Sequence, residues 1–176
     1  PCVLRQYLRG GMVARFIRSR YLFTGYENSR PFREFRVLAK LSGLRLPAPV
    51  PVAALCVRHG AGATGAIITR EIENVKTLEQ VAGSMNESEW RSVGATLRSF
   101  HDHGLVHADL TVRNILVQEG GRVFLVDFDR ARFQDNAKGA FKRGLKRLHR
   151  SMVKSQLEKE KGLDESAWMQ LLNGYG

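Results

Sequence analysis

The spacing of apolar positions changes several times along the chain, and each change marks an element. Residues 3–7, Val-Leu-Arg-Gln-Tyr, read as a short strand stopped at Gly10-Gly11, and residues 12–22 then carry apolar side chains among arginines at helical spacing. Pro31 suits the first turn of a second helix, with Phe32, Phe35, Leu38 and Leu41 on one face and Gly43 at its end. Pro47, Pro49 and Pro51 forbid a helix interior, so residues 46–51 predict an extended connector. Residues 52–58 and 66–72 are apolar, partly β-branched runs, and the Gly-Ala-Gly-Ala-Thr-Gly between them predicts an antiparallel pair joined by a flexible loop.

The second half reads differently. Asn86 or Ser88 can cap a helix carrying Trp90, Val93, Leu97 and Phe100 on one side, which Gly104 ends. Residues 115–117 and 123–126 are short apolar strands joined through Gly120-Gly121. Beyond them Phe141, Leu145, Leu148, Met152 and Leu157 share one helical face, while Lys142, Arg143, Lys146, Arg147, Arg150 and Lys154 cover the other. Trp168, Leu171 and Leu172 predict a last helix packed on the same lobe. There is no internal repeat and no low-complexity tract. The composition shift over residues 47–77 divides the chain into a sheet-rich lobe, 1–73, and a mainly helical lobe, 74–176, an α+β fold.

An apolar content of 43% suits a globular chain, and no run approaches the about 18 to 20 apolar residues of a membrane-spanning helix, so a cytosolic chain is expected. Cys2 and Cys56 read as ordinary thiols of a reducing compartment. The start at Pro1-Cys2-Val3, without methionine and directly in a strand, reads as a fragment that has lost upstream residues. The formal charge of +11 changes the picture more. In the opening segment Arg5, Arg9, Arg15, Arg18, Arg20, Arg30, Arg33, Arg36, Lys40 and Arg45 face only Glu27 and Glu34, which calls for an anionic partner: nucleic acid, a phospholipid surface or a phosphorylated substrate.

Chemistry concentrates between residues 100 and 129. A helix leads into His107-Ala108-Asp109, Asn114 follows after four residues, and then come a strand, a glycine turn, a second strand and Asp127-Phe128-Asp129. Any one of these polar residues could cap a turn or end a strand. The ordered set fits phosphoryl transfer, which needs a base for the acceptor hydroxyl and hard oxygen ligands for magnesium. Asp109 is the candidate base, and Asn114 and Asp127 are the candidate Mg2+ ligands. A zinc site built from His101, His103, His107 and Asp109 fits no common spacing; His101 and His103 read instead as helix-end residues facing the dipole.

These residues resemble the protein-kinase superfamily, whose catalytic loop is H-R-D-x4-N and whose metal motif is D-F-G. The resemblance implies ATP as phosphate donor, a two-lobe kinase-like fold whose N-lobe lacks the strands of the Gly-rich loop, and His107 bracing the catalytic loop. It puts Arg5 at the position of the phosphate-binding lysine, with Glu34 as its ion-pair partner, although a solvated carboxylate is an equal reading of Glu34. Residues 68–72 would then be the hinge that meets adenine, with Thr69 as gatekeeper beside Glu71 and Ile72; an edge strand with nothing bound is the alternative. Three departures matter. Ala108 replaces the arginine that grips a phosphorylated activation loop, Asp129 replaces the glycine of D-F-G and should stiffen the turn, and Thr111 replaces a lysine whose charge Arg113 could supply.

Residues 3–11, VLRQYLRGG, with 20–25, RYLFTG, 30–35, RPFREF, and 49–53, PVPVA, are similar to bacterial 3-deoxy-D-manno-octulosonic acid (Kdo) kinases of the lipopolysaccharide kinase group. That resemblance implies ATP-dependent phosphorylation of the Kdo 4-hydroxyl on a lipid A precursor, by a peripheral protein at the anionic cytoplasmic face of the inner membrane, with no nucleic acid as partner. The basic helix over 141–157 would then be either a solvated face or a membrane contact. Two other readings remain: an atypical small kinase or ATPase of the type associated with tRNA modification, and a pseudokinase that only binds anionic surfaces.

Overall fold

A computed structural model describes residues 1–7, 21–23, 25–158 and 165–176. They form two compact units, Pro1–Leu44 with Pro49–Glu71, and Arg45–Ala48 with Ile72–Gly176. The chain passes from the first unit to the second after Glu71, and the proline-rich connector is divided between them.

In the first unit, β1 (Cys2–Gln6), β2 (Tyr21–Leu22), α1 (Arg30–Gly43), β3 (Pro51–His59) and β4 (Gly62–Arg70) surround one antiparallel sheet. Most of the helix expected over 12–22 lies outside the described residues, and its last two positions form β2 instead. Strand β4 pairs with β1, β2 and β3, so the edge-strand reading of residues 68–72 does not hold: Thr69 lies opposite both Val3 and Pro51. The loop expected over 60–65 contracts to the Gly60-Ala61 turn, with Gly60 at φ +63, because Gly62 to Gly65 pair in register with β3. Ladder hydrogen bonds outweigh the weak strand preference of glycine here.

Helix α1 has Pro31 in its first turn and packs on β3 and β4. Its buried positions are Pro31, Glu34, Leu38 and Leu41, whereas Phe32 and Phe35 are half-buried. The apolar face is thus rotated from the one expected, and a carboxylate sits in it.

The second unit contains β5 (Val75–Thr77), α2 (Leu78–Val81), α3 (Glu87–Asp102), β6 (Leu105–Val106), β7 (Ile115–Gln118), β8 (Val123–Leu125), β9 (Arg132–Phe133), α4 (Lys138–Glu158) and α5 (Glu165–Tyr175). Its sheets are β5-β7-β8 and the pair β6-β9, and the Pro47 carbonyl accepts from the Leu125 amide at 3.1 Å, tying the connector to β8. Asn86, not Ser88, caps α3: its Oδ1 accepts from the Glu89 amide at 3.1 Å, and the Glu89 carboxylate accepts from the Asn86 amide at 2.8 Å. Trp90, Val93, Leu97 and Phe100 are buried as the period required. Helix α5 packs on α3 through Leu171, but Leu172 is 40% exposed and takes no part in that core. Among the described residues no helix is long and apolar enough to cross a membrane.

Candidate active site

Helix α3 ends at Gly104, whose φ of +76 turns the chain into β6 and delivers it to the loop before β7. The loop opens with His107, buried against Phe128 at 5.2 Å between ring centroids; Phe128 in turn lies 6.1 Å from Phe100. His107 Nε2 meets the Val126 carbonyl at 3.0 Å, and Nδ1 meets the Asp109 amide at 3.3 Å. Both contacts fit one tautomer, the neutral ring protonated on Nε2. Burial pushes the His107 pKa down, against the opposing pull of the Val126 carbonyl and of the Asp127 and Asp109 carboxylates.

Asn114 closes the loop. Its side-chain NH2 donates to the Asp109 carbonyl at 2.8 Å, its backbone amide donates to Thr111 at 3.0 Å, and its carbonyl accepts from the Val126 amide at 3.0 Å. His107 and Asn114 therefore grip the carbonyl and the amide of one residue, Val126, and the next residue is Asp127. Asp127 has φ +64, a left-handed conformation costly for a side chain other than glycine, and such strain collects where a side chain must be aimed. Asp129, which stands where the motif has glycine, has no positive φ; it lies in a turn closed by the Ala131 amide on the Phe128 carbonyl at 3.0 Å, so the substitution costs nothing in the backbone.

The Asp109 side chain is 56% exposed and accepts from Arg147 of α4 at 3.3 Å. One helical turn on, Ser151 Oγ accepts from the Val112 amide at 3.2 Å, while Leu110 and Val112 are buried beneath the loop. Thus α4 holds the loop at two points. The sequence pattern puts Arg147 on a basic face, solvated or in contact with a membrane, and does not single out Ser151; the signal is their four-residue spacing beside Gly144, whose position faces Leu110.

Arg113 goes elsewhere than expected. Its guanidinium forks onto Glu79 of α2, Nε to Oε2 at 3.0 Å and Nη2 to Oε1 at 3.2 Å. The histidines do not converge either. His103 Nδ1 lies 2.8 Å from the Ser99 carbonyl, whereas His101 stacks on Phe141 at 4.1 Å and meets the Tyr175 hydroxyl at 2.7 Å. Burial lowers the His101 pKa to about 4, so it is a neutral core ring rather than a cation on the helix dipole.

In the first unit, Arg5 of β1 and the Tyr7 hydroxyl both donate to the Glu34 carboxylate, which is 3% exposed. Glu34 is a buried acceptor and not a solvated helix carboxylate. Burial and the Glu34 charge hold Tyr7 protonated well above the usual phenol range. Thr69 is half-buried within β4, while Glu71 and Ile72 straddle the passage between the units.

This loop and hairpin can be set beside known proteins. Residues 1–175 match the lipopolysaccharide kinase (Kdo/WaaP) family. The chain belongs to that family. A 3-deoxy-D-manno-octulosonic acid kinase of Xanthomonas euvesicatoria pv. vesicatoria (strain 85-10) is 46% identical over 155 residues, 86% of this chain and 61% of that protein. The protein of that name from Xanthomonas campestris pv. campestris (strain B100) is 44% identical over 155 residues, again 86% of this chain and 61% of that protein. Another, from Xylella fastidiosa (strain 9a5c), is 40% identical over 158 residues, 89% of this chain and 64% of that protein. The chain thus spans 61% to 64% of the length of these relatives. The mixed α/β structure, with small sheets beside helices, is compatible with a kinase-like family.

Proposed function

We propose that the protein transfers the γ-phosphoryl group of ATP to the 4-hydroxyl of Kdo on a lipid A precursor. The observation that carries this reading is the grip of His107 and Asn114 on Val126, which sets Asp109 and Asp127 around one buried ring. The relatives' name supplies the sugar.

Asp109 is exposed, as a base for an incoming hydroxyl must be, and its backbone is held at both amide and carbonyl. The acceptor oxygen bonds to the γ-phosphorus, the bond from that phosphorus to the bridging oxygen of ADP breaks, and the hydroxyl proton passes to the Asp109 carboxylate. Asn114 and Asp127 suit Mg2+ in donor chemistry: the amide donates its nitrogen to Asp109, leaving Oδ1 to coordinate, and Asp127 offers a carboxylate. When bound, the ion neutralises phosphate charge. In the first unit, Glu34 orients Arg5 for the nucleotide phosphates, and Thr69, Glu71 and Ile72 form the adenine-facing hinge of an N-lobe, with residues 74–176 as the C-lobe. Arg113 contributes positive charge near the transfer only if Glu79 releases it, so it is the weakest member of the set.

The charge of +11 draws the protein to the anionic cytoplasmic face of the inner membrane as a peripheral protein. The test is transfer from radiolabelled ATP with magnesium, at the full length of the relatives, offering Kdo-bearing lipid A precursor, a basic protein or no acceptor. Label on the lipid that disappears in Asp109→Ala supports the reading. Label on protein alone, or hydrolysis alone, overturns it.

A further inference from the structure

Helix α4, with Trp168 of α5, borders an open cleft of about 540 Å³ in the second unit, lined by Arg143, Lys146, Arg147 and Arg150 among others, with the tilted ring pair of Trp168 and His149, 4.7 Å between centroids, as one wall. Among the described residues none that lines it is acidic. Along α4 the cations recur at four-residue spacing, Lys142-Lys146-Arg150 and Arg143-Arg147, and Glu158 is the helix's only acidic residue. Like charges one turn apart destabilise a helix, and an anion bound among them would relieve that repulsion. Arg147 belongs to two places: it lines the cleft, and its Nη1 reaches Asp109. A guanidinium carries five donors, enough to hold the carboxylate and a second anion together.

We propose that this cleft is the subsite for an anionic group, phosphate or carboxylate, carried by the acceptor sugar itself, and that Arg147 couples its occupancy to the aim of Asp109. The proposal rests on the reading of Asp109 as the acceptor-side base. The cleft is concave, has an apolar side in Leu145 and Trp168, and opens beside the residue where the hydroxyl reacts; a general bilayer contact needs none of these. Arg147 is a positioning residue, while Lys146 and Arg150 bind.

The test compares wild type with the Lys146→Gln/Arg150→Gln double variant at the full length of the relatives. Both side chains are exposed, so the variant folds, which circular dichroism checks. The probe is O-deacylated, water-soluble Kdo-bearing lipid A precursor. Expected is a rise of about tenfold or more in its KM, with the KM for ATP moving less than about twofold. Fluorescence of Trp168 gives binding without turnover, since Trp90 is buried. An unchanged acceptor KM in an active enzyme overturns the cleft and leaves the kinase reading standing. A shift seen only when the acceptor sits in phosphatidylglycerol vesicles overturns it in favour of a bilayer patch, and a shift in the ATP KM overturns it in favour of a nucleotide contact. If wild type binds the probe and transfers nothing, while the variant fails to bind, the cleft stands and the kinase reading falls.

Discussion

Asp109 and His101 show how differently two ionisable side chains in the same unit are used. Asp109 is exposed and its side chain accepts from Arg147, so Asp109→Ala removes the proposed base without opening the core. Transfer should fall by about a thousandfold or more with the melting temperature unchanged, measured by label transfer and thermal unfolding. Asp127→Ala should abolish magnesium-dependent nucleotide binding in an equilibrium titration; unchanged affinity would remove it as a ligand. His101 is structural. Its folded pKa of about 4 lies below the roughly 6.5 of an unfolded chain, so between these values the unfolded state binds a proton that the folded state does not. The stability it contributes is complete above about pH 6.5 and is lost as pH falls toward about 4, at most about 3 kcal/mol. His107, shifted in the same direction by burial, adds to that slope. Urea midpoints from pH 7 to pH 4.5 should fall, and in His101→Gln they should fall less steeply.

At the level of elements, α3 is the scaffold from which the loop is hung, and its ends can be probed separately. Asn86→Ala removes the side-chain half of the capping box, the Oδ1 that accepts from the Glu89 amide, and should cost about 1 kcal/mol in chemical unfolding. The contact with α5 is tighter. A Cβ at Gly94 would lie 1.9 Å from the Leu171 carbonyl oxygen, and one at Gly174 would lie 2.0 Å from that of Arg91. Backbone stands at both points, so neither clash is relieved by a rotamer change. Gly174→Ala should displace α5, with a loss of about 3 kcal/mol or more and faster proteolysis of residues 165–176 than of the rest. If Gly174→Ala melts like wild type, the close approach of α3 and α5 is wrong. Trp168 rides on α5, so the same variant should weaken acceptor binding more than ATP binding.

Across the whole molecule, the excess of 28 lysines and arginines over 17 acidic residues is used in two distinct ways. Some cations are consumed internally: Arg5 on Glu34, Arg98 on Asp102, Arg113 on Glu79. The cations of the α4 cleft line an open surface, where the proposed acceptor anion would meet them. Exposed charge is screened over about 8 Å at physiological salt, so the acceptor KM should climb steeply between roughly 50 and 300 mM salt while thermal stability changes little. A salt-independent KM would remove charge attraction from substrate capture.

Much of this protein follows from local sequence. Period and capping residues placed α1, α3 and α4, because amphipathic spacing and helix ends are written within one segment, and the order His107, Asp109, Asn114, Asp127 picked out the candidate site because a loop and a hairpin hold those residues over a short stretch. Tertiary structure decided the partners. Glu34 is buried by groups 27 and 29 residues away, Asp109 meets an arginine 38 residues on, and Arg113 turns to a carboxylate 34 residues back. Residues 62–65, which alone read as a loop, become strand because β3 lies alongside. Spacing along a chain says which groups one element can present, whereas the partner of a charge or of a backbone amide is whichever group packing brings within reach.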